Sequence, residues 1–594
     1  MKSIILAAGL GARMRPYTNS IPKAMLEVGG QTIIERIIKI LINNGVSDIC
    51  VVTGYYHEQL ENYLAATFSA LDLTFVRNTS FDKTNNIYSM HLAFENYPID
   101  DDIILIESDL IITESVFRRI LESPYKNVAL VDRYKVGMDG TVVTIENDLI
   151  TNIIPPHLQG PDFDYANKYK TLNIYKFSKE FASTAFRKLL SFYATVYNDN
   201  CYYELILGIL VYMRQEQIYA CDVDGDFWIE VDDANDLQLA NIAFGKESRL
   251  VSLDEAYGGF WNFPVLDFAF IRNMYFPTNA MLADMRYNLA KLLQNYGSTQ
   301  KLLNTKLAHF LLVPTEHVCL LNGLSQIYPL LERMIGDKLC LLPEPTFGEY
   351  SRVFKFKTTY QDTGYQVLNE ISEEKIQTSE VIIIVNPNNP TGSYIESEKI
   401  FDLARSNPNK LFIVDESFIE FSGKPSVQDL LQKEELRNVW VLKSLSKSLG
   451  IPGLRIGYIY SRDDEVIQRI NQQIPIWNSN SLAEYFLEII LKYRKELINS
   501  FDSTRLDRSV LEGNLASLEY VDRVFPSQAN FILLRLKLSG EQGENLRNYL
   551  IEKSFYVKDC SSKFDDGQCY LRIAVRLPEE NLQLFEAMSE FKYE

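Results

Sequence analysis

Apolar residues recur along the chain in two alternating patterns. Short β-branched runs such as KSIILAA, SDICVVTGY and DDIILIESD predict buried strands within residues 1–245. The stretch TIIERIIKILINNG has apolar residues at positions 33, 34, 37, 38, 41 and 42, a spacing that predicts an amphipathic helix ending at Asn44-Gly45. Strands that alternate with helices predict a mainly parallel sheet with helices on both faces, which is an α/β fold.

This alternation is interrupted after residue 245. The string KESRLVSLDEAYGGFWNFP has a glycine pair and several aromatic residues but no strong period. The alternation then resumes, with strands expected at EVIIIVNP, KLFIVDE and VWVLKS. We therefore predict two α/β domains, residues 1–245 and 262–594, joined by a linker over 246–261. The length of 594 residues, about four times the ~150 of an average domain, agrees with more than one core.

Composition and charge narrow the class of protein. Acidic residues outnumber basic ones by 78 to 59, for a formal charge of −19, so we expect no nucleic-acid partner. The longest apolar stretch, near Leu205–Met213, is far shorter than the ~20 residues of a membrane-spanning helix, so we expect no membrane insertion. Seven cysteines without a CxxC pair suit free thiols in a reducing cytosol, which predicts a cytoplasmic protein.

The first strand leads into a loop with two glycines and two nearby cations. The string LAAGLGARMRP includes Arg13, and Lys23 follows a proline about ten residues later. Glycines let backbone N–H groups approach an anion, and the two cations suit the charge of a leaving pyrophosphate. A simple strand-to-helix turn would also explain the GxG alone. A dinucleotide-binding loop needs a third glycine where Met14 stands. A Walker loop needs GKS or GKT after the second glycine, and this loop has neither.

This stretch resembles the LAAGxGxR and PK signature of sugar-nucleotide and phosphocholine-type nucleotidyltransferases, over about residues 1–240. The strings TNNIYS, ESD and FWIEVD fit the cytidylyltransferase branch. The resemblance implies a Rossmann-like domain that transfers CMP from CTP to a phosphorylated amine. It also implies Mg²⁺ on Asp109 and Asp232, with Glu230 as a further candidate, and carboxylate oxygens suit this hard cation. The implied catalytic cations are Arg13 and Lys23, and the implied substrate contacts are Leu6, Ala7, Ala8, Gly9, Gly11, Asn85 and Tyr88.

The second half contains a lysine with neighbours that suit a phosphorylated cofactor. In SLSKSLGIPGLRIG, Lys447 follows Ser444 and Ser446, and Arg455 stands eight residues later. Lys447 could bind an aldehyde covalently while the serines and the arginine hold a phosphate. Asp415 ends the strand LFIV, and an acid at a buried strand end can pair with a protonated pyridine nitrogen. On its own, Lys447 would be interpreted as a surface lysine.

These motifs, with NPNNPTG upstream, resemble the fold-type I pyridoxal-phosphate enzymes of the class I/II aminotransferase superfamily, over about residues 262–590. The resemblance implies an α/β large domain with a small α+β domain, bound pyridoxal 5′-phosphate, and a homodimer formed through this domain. Lys447 is then the Schiff-base lysine, Asp415 the partner of the pyridine nitrogen, and Arg572 the bidentate ligand of the substrate α-carboxylate. The other implied contacts are Asn389 at the ring hydroxyl, Phe347 stacked on the ring, Ser444, Ser446, Arg455, Gly323, Leu324 and Ser325 at the phosphate, and Tyr296 reaching the second subunit.

Two reactions compete for the second half. Histidinol-phosphate aminotransferases usually have tyrosine where this chain has Phe418, whereas DESFIEF, PTFGEY and QIPIWNSNSLA look more like threonine-phosphate decarboxylases. The leading hypothesis is a bifunctional enzyme that decarboxylates a phosphoserine- or phosphothreonine-like amino acid and activates the resulting phosphorylated amine with CTP. One alternative is an aminotransferase acting on a histidinol-phosphate-like, phosphorylated or phosphonate carbonyl compound. Another is a chain in which one half is a non-catalytic binding or oligomerisation module.

Overall fold

A computed structural model of the chain describes residues 1–135, 138–160, 163–214, 216–223, 225–245, 249–259 and 263–593. The chain divides into two units, Met1–Phe263 and Pro264–Glu594. The segment predicted as a linker, 246–261, contains a helix over Arg249–Ala256, and its residues 246–248 and 260–261 lie outside the described residues. No helix in the described part of the chain is both long enough and apolar enough to cross a membrane.

The first unit is built around a nine-stranded sheet. The strands of the whole unit, including two short pairs outside this sheet, are β1 Lys2–Ala7, β2 Glu27–Val28, β3 Gln31–Thr32, β4 Asp48–Thr53, β5 Leu73–Arg77, β6 Ile103–Glu107, β7 Leu110–Ile112, β8 Val128–Arg133, β9 Val142–Glu146, β10 Leu149–Ile154, β11 Tyr169–Phe177, β12 Tyr219–Asp222 and β13 Trp228–Glu230. Its helices are α1 Ile33–Asn43, α2 His57–Thr67, α3 Asn86–Asn96, α4 Glu114–Glu122, α5 Lys179–Phe181, α6 Arg187–Phe192, α7 Glu204–Tyr212, α8 Ala234–Phe244 and α9 Arg249–Ala256.

The order of the large sheet is β5-β4-β1-β6-β11-β8-β12-β10-β9. The strands β5, β4, β1 and β6 are parallel neighbours, whereas β11 pairs antiparallel with both β6 and β8. The α/β class predicted from sequence is therefore confirmed, with a mixed sheet. Successive residues of β1 point to opposite faces, so Ile5 joins the core under α1 and Ile4 joins the core under α3.

The helix predicted from TIIERIIKILINNG is confirmed as α1. Its buried residues are Ile33, Ile34, Ile37, Ile38 and Leu41. The hydroxyl of Thr32 accepts a hydrogen bond from the backbone N–H of Glu35 at 3.2 Å, which satisfies a donor of the first turn. At the other end Gly45 has a φ of +79°, a left-handed conformation that glycine adopts without strain.

The second unit contains a seven-stranded sheet and a separate four-stranded sheet. Its strands are β14 Leu266–Asp267, β15 Val318–Asn322, β16 Cys340–Glu344, β17 Lys357–Gln361, β18 Val381–Val385, β19 Leu411–Asp415, β20 Val439–Ser444, β21 Ile456–Ser461, β22 Val521–Val524, β23 Phe531–Leu536, β24 Phe555–Tyr556, β25 Lys558–Asp559 and β26 Cys569–Ala574. Its helices are α10 Asn279–Gln294, α11 Gln300–Leu311, α12 Ile327–Ile335, α13 Gly348–Val353, α14 Glu373–Thr378, α15 Ser397–Ser406, α16 Val427–Lys433, α17 Leu445–Ser448, α18 Asp464–Asn471, α19 Ser481–Ile489, α20 Arg494–Ala516, α21 Gly540–Glu552 and α22 Pro578–Glu590.

The seven-stranded sheet has the order β15-β21-β20-β19-β18-β16-β17, and the three strands predicted from EVIIIVNP, KLFIVDE and VWVLKS are confirmed as β18, β19 and β20. In sheet order, the neighbouring strands β20, β19, β18, β16 and β17 are parallel, whereas β21 is antiparallel to both of its neighbours. The four-stranded sheet is antiparallel, with the order β22-β23-β26-β25. This arrangement corresponds to the predicted large α/β part with a smaller α+β part.

Candidate active sites

The glycine loop of the first unit follows β1 and borders a cavity of about 510 Å³. Gly11 has a φ of +59°, and a Cβ on it would lie 3.1 Å from side-chain atoms of both Thr18 and Lys23. The Thr18 hydroxyl donates to the Gly11 carbonyl at 2.7 Å, which fixes the loop against the turn Tyr17–Asn19. Conformation and space therefore both favour glycine at position 11.

Most of the residues predicted for this site line the same cavity. They are Leu6, Ala7, Ala8, Gly9, Gly11, Arg13, Lys23, Asn85, Asp109 and Asp232. Tyr88 and Glu230 are not among the lining residues. Tyr88 is half-buried on α3, with its ring centroid 6.2 Å from that of His91. The structure thus brings the loop, the cations and two carboxylates together but leaves Tyr88 aside.

Three carboxylates that are far apart in sequence meet beside the loop. Asp109, Glu230 and Asp232 each present an oxygen atom, and these oxygens lie within 4.8 Å of one another. Their meeting depends on β7 and β13, which pair antiparallel with Leu110 opposite Glu230. The backbone N–H of Val231 also donates to the Asp109 carbonyl at 2.8 Å. This short two-stranded ribbon positions the acidic cluster.

The two predicted cations contact this acidic cluster directly. The Lys23 Nζ donates to Asp109 Oδ2 and to Asp232 Oδ1, both at 2.7 Å, and Arg13 lies 2.9 Å from Asp232 Oδ2. Burial disfavours the charged form of Lys23, but the two aspartates outweigh it and raise the pKa of the ammonium. Burial likewise opposes ionisation of Asp232, but Lys23 and Arg13 hold its pKa below the usual value. The cluster is therefore charged and partly neutralised by fixed cations.

The donor set of this cluster fits a hard divalent cation. All three side chains are carboxylates, the type of ligand that Mg²⁺ takes in proteins. The Oδ1 atom of Asp109 is buried and has no hydrogen-bond partner among the residues that the structure describes. A buried oxygen without a partner is costly unless a cation or a donor binds it.

A lysine that the sequence did not single out contacts the third carboxylate. Lys170 lies on β11, is only 2% exposed, and its Nζ is 3.1 Å from Glu230 Oε2. Burial and the charges of Asp109 and Asp232 raise the pKa of Glu230 to about 7, although Lys170 opposes this shift. The presence of a lysine among the apolar residues of β11 could have drawn attention to it. Its partner Glu230 could not be predicted without the order of the strands in the sheet.

In the second unit, Lys447 lies in the short helix α17, directly after β20. It is half-buried, and its Nζ forms no ion pair within the described part of the chain. Burial, together with the nearby charges of Arg572 and Arg455, lowers the pKa of Lys447 to about 8, although Asp415 opposes this shift. An amine with such a pKa is partly neutral near pH 7 to 8, the form that reacts with an aldehyde.

Asp415 ends β19 and is held by three hydrogen bonds. Its Oδ2 accepts from the Tyr350 hydroxyl at 2.6 Å, and its Oδ1 accepts from Ser417, through the hydroxyl at 2.6 Å and the backbone N–H at 2.9 Å. Burial raises the pKa of Asp415, and these hydrogen bonds counteract that rise. Sequence reasoning missed Tyr350, although it stands three residues after Phe347 in PTFGEY.

Three of the residues predicted for the cofactor phosphate, Gly323, Ser325 and Arg455, contact one another at a turn. The guanidinium of Arg455 donates to the Ser325 hydroxyl at 2.9 Å, and a Cβ on Gly323 would lie 2.4 Å from Arg455 Nη2. The Ser446 hydroxyl is buried and has no hydrogen-bond partner in the described part of the chain. An orphaned hydroxyl and an arginine packed on a glycine turn fit a bound phosphate. Gly323, Leu324 and Ser325 form this turn and Arg455 contacts it, whereas Ser444 ends β20 and Ser446 lies in α17 beside Lys447.

Arg572 on β26 reaches Asn389, which was predicted to contact the ring hydroxyl. Its Nη1 donates to Asn389 Oδ1 at 2.6 Å, and its Nη2 donates to the Ala269 carbonyl at 2.6 Å. Phe347 stays 37% exposed, which leaves its ring face available for stacking. Tyr296 is 80% exposed and stacks on Trp477 at 4.5 Å between ring centroids. The structure therefore joins Arg572 to Asn389 and leaves Tyr296 on the surface.

Comparisons with known proteins match both units. Residues 265–586 match the profile of the family "Aminotransferase class I and II", and residues 3–154 match that of the "MobA-like NTP transferase domain". The chain is similar to CMP-5′-(3-aminopropyl)phosphonate synthase of Streptomyces rubellomurinus, with 28% identity over 606 aligned positions that cover 99% of this chain and 95% of that protein.

Two further similarities cover about half of the chain. L-serine phosphate decarboxylase of Campylobacter jejuni is 28% identical over 320 positions, which cover 51% of this chain and 81% of that protein. The solved structure of L-threonine-O-3-phosphate decarboxylase from Porphyromonas gingivalis is 22% identical, with a TM-score of 0.49, and covers 55% of this chain and 98% of that one.

Proposed function

We propose that this chain, which belongs through residues 265–586 to the class I and II aminotransferase family, makes an amine with a phosphate or phosphonate group and activates it as a CMP derivative. The chain is an enzyme that combines a nucleotidyltransferase unit with a pyridoxal-phosphate-dependent unit. The observation that carries the proposal is the presence of two sites in one chain: the carboxylate cluster beside a glycine loop, and Lys447 beside Asp415.

The relatives support a link between the two reactions. One full-length relative is named as a synthase of a CMP-linked aminopropylphosphonate, and relatives of the second unit are named as serine-phosphate decarboxylases. Decarboxylation of a phosphorylated amino acid yields a phosphorylated amine. That product has the free phosphate or phosphonate oxygen that a nucleotidyltransferase needs as its nucleophile. The product of one unit is thus a chemically suitable substrate for the other.

In the first unit, an oxygen of the amine's phosphate or phosphonate attacks the α-phosphorus of CTP, and pyrophosphate leaves. The loop N–H groups from Gly9 to Gly11 would hold the triphosphate, while Arg13 and Lys23 stabilise the departing charge. The carboxylates of Asp109, Asp232 and Glu230 would hold Mg²⁺, which neutralises triphosphate charge when bound. No activated side-chain nucleophile is required, since the attacking oxygen is already anionic.

In the second unit, pyridoxal phosphate would supply the electron sink when bound. Lys447 would hold its aldehyde and move protons, Asp415 would hold the proton of the pyridine nitrogen, and Arg455 with Ser446 would hold the phosphate. Arg572 would bind and orient the substrate carboxylate. The bond aligned perpendicular to the cofactor plane is weakened, so the orientation of that carboxylate decides between loss of CO₂ and loss of a proton.

Product analysis tests this proposal. We expect the purified chain, supplied with phosphoserine, CTP, Mg²⁺ and pyridoxal phosphate, to release CO₂ and pyrophosphate and to form CDP-ethanolamine. Phosphothreonine and a phosphonate amino acid serve as parallel substrates, because the relatives differ in this respect. Amino transfer that depends on an added keto acid, without CO₂, would instead establish the second unit as an aminotransferase. CO₂ release reports on the second unit and pyrophosphate release on the first, so the activity of each unit is measured independently.

We also propose that the second unit pairs with a second copy of the chain. Helix α10 exposes Leu289 (42%), Leu293 (67%) and Tyr287 (89%) to solvent, beside a largely apolar groove that includes Leu282 and Leu482. Tyr296, expected to reach the second subunit's cofactor, follows this helix directly. An apolar helix face beside a residue that completes the site favours a second copy as its occupant.

Sedimentation measurements test this pairing. We expect the wild-type chain to sediment as a dimer and Leu289→Glu to sediment as a monomer, because a buried charge without a partner disfavours association. The monomer should lose most of the pyridoxal-dependent activity and keep CMP transfer. Leu582→Glu, at a 48% exposed position on α22, is the matched control and should remain dimeric. A wild-type monomer with full activity would contradict the proposal.

A further inference from the structure

The four-stranded sheet of the second unit places extra positive charge beside Arg572. Strands β25 and β26 pair antiparallel, and Lys558 lies directly opposite Arg572. Residues directly opposite each other extend their side chains from the same face of a sheet. The turn after β25 carries Lys563, which is half-buried. Two lysines therefore accompany the arginine to which the substrate carboxylate is assigned.

Lys563 and Arg572 reach two loops that are joined to each other. The Lys563 Nζ donates to the Thr346 carbonyl at 2.7 Å, and the Thr346 hydroxyl donates to Asn388 Oδ1 at 2.8 Å. The next residue along that loop, Asn389, accepts from Arg572 at 2.6 Å. Thr346 itself precedes Phe347, the residue expected to stack on the cofactor ring. Lys563 thus contacts the loop that carries Phe347, and this loop is hydrogen-bonded to the loop that Arg572 contacts.

Lys563 has no acidic partner in the described part of the chain. Its hydrogen bond goes to a neutral carbonyl, and no carboxylate there lies within ion-pair distance of its Nζ. Burial lowers its pKa, and repulsion from Arg572 and Lys558 lowers it further, although Cys560 opposes them. By contrast, the buried Lys443 of the same unit is 3.1 Å from Glu420. A partly buried ammonium without a counter-charge is unfavourable, and an anionic ligand would relieve this cost.

We propose that Lys563 binds the phosphate or phosphonate group of the amino acid substrate, while Arg572 binds its carboxylate. The inference rests on the proposed function of the second unit and names its substrate class as doubly anionic amino acids. A phosphate monoester carries a charge of about −1.5 to −2 near pH 7, which the guanidinium already used by the carboxylate does not neutralise. Lys563 would therefore select phosphorylated over unphosphorylated amino acids.

The variant Lys563→Gln tests this role in the holoenzyme. We expect its KM for phosphoserine to rise about 10- to 100-fold, the loss typical of one hydrogen bond to a charged group, with little change in kcat. The kcat/KM for unphosphorylated serine should stay unchanged. Lys563→Arg should recover most of the affinity, and Lys592→Gln, at an exposed position near the C-terminal end, should behave as wild type.

A second measurement uses inorganic phosphate and does not depend on turnover. Calorimetric titration should detect phosphate binding to the wild-type holoenzyme, in which the cofactor's own phosphate occupies the Arg455 turn, and weaker binding to Lys563→Gln. Equal losses for phosphoserine and serine, or a lower Tm with unchanged selectivity and unchanged phosphate binding, would overturn the inference in favour of a structural tie between loops. If the wild type converts no phosphorylated amino acid, the proposed function fails, and the titration alone then decides whether Lys563 binds an anion.

Discussion

Replacing Lys447 by alanine is expected to abolish the pyridoxal-dependent reaction of the second unit while CMP transfer continues. The variant removes the amine whose pKa is lowered to about 8 and that is assigned to hold the cofactor aldehyde. Loss of a covalent catalytic group that also moves protons lowers activity by at least about 10³-fold. The measurements are CO₂ release and the visible absorbance of the cofactor that remains with the protein after gel filtration.

The control for this variant is Lys433→Ala. Lys433 is an exposed lysine at the end of α16, in the same unit, and its removal changes the net charge equally. It should leave CO₂ release and cofactor absorbance at wild-type levels. A Lys447→Ala protein that retains the absorbance band and the activity would show that another amine holds the cofactor, and the assignment of Lys447 would then be wrong.

Local sequence signals were sufficient to predict much of the fold and of both sites. The helix α1 follows from apolar spacing, and β18, β19 and β20 follow from apolar runs bounded by polar residues. Gly11 and Lys23 could be found because a loop that cradles an anion uses neighbouring residues, and the structure packs them against each other. When a site is formed by one turn and the residues next to it, all of its residues are close together in the sequence and can be recognised as one motif.

Residues that meet through strand pairing could not be predicted in the same way. Lys170 contacts Glu230 because β11 lies antiparallel between β6 and β8, and nothing in the strand's own sequence specifies that order. Lys558 faces Arg572 only because of the register of β25 on β26. A shift of one residue in either register would turn the side chain to the other face of the sheet. Such contacts depend on the whole sheet and require the structure.

Two expected site residues illustrate a different limit. Tyr296 was assigned to a second subunit, and it is exposed in the single chain, so its role depends on an interface that one chain does not contain. Tyr88 was assigned from a motif whose other member, Asn85, does line the cavity. Tyr88 lies on α3 and Asn85 is the N-cap of this helix, so the rotation of the helix decides which of the two side chains faces the cavity. These two assignments stay predictions.

Replacing Asp109 by asparagine should lower pyrophosphate release by about 10³-fold or more while CO₂ release stays unchanged. The substitution keeps the shape of the side chain but removes one of three carboxylates within 4.8 Å of one another, and with it the charge of one of the two carboxylates that pair with Lys23. A neutral amide is a poorer ligand for a hard cation, and positioned electrostatic groups of this kind each contribute about 10²- to 10³-fold or more. The assay is CTP-dependent pyrophosphate release over a range of Mg²⁺ concentrations.

The dependence on Mg²⁺ separates a metal ligand from a partner of Lys23 alone. If Asp109 binds the metal, the variant should need a higher Mg²⁺ concentration for half-maximal activity, whereas loss of the lysine contact alone would lower the rate at every concentration equally. Asp72→Asn, at an exposed position before β5, is the matched control and should behave as wild type. Unchanged nucleotidyl transfer in Asp109→Asn would refute the metal assignment. Unchanged CO₂ release in the same protein would show that the loss is confined to the first unit.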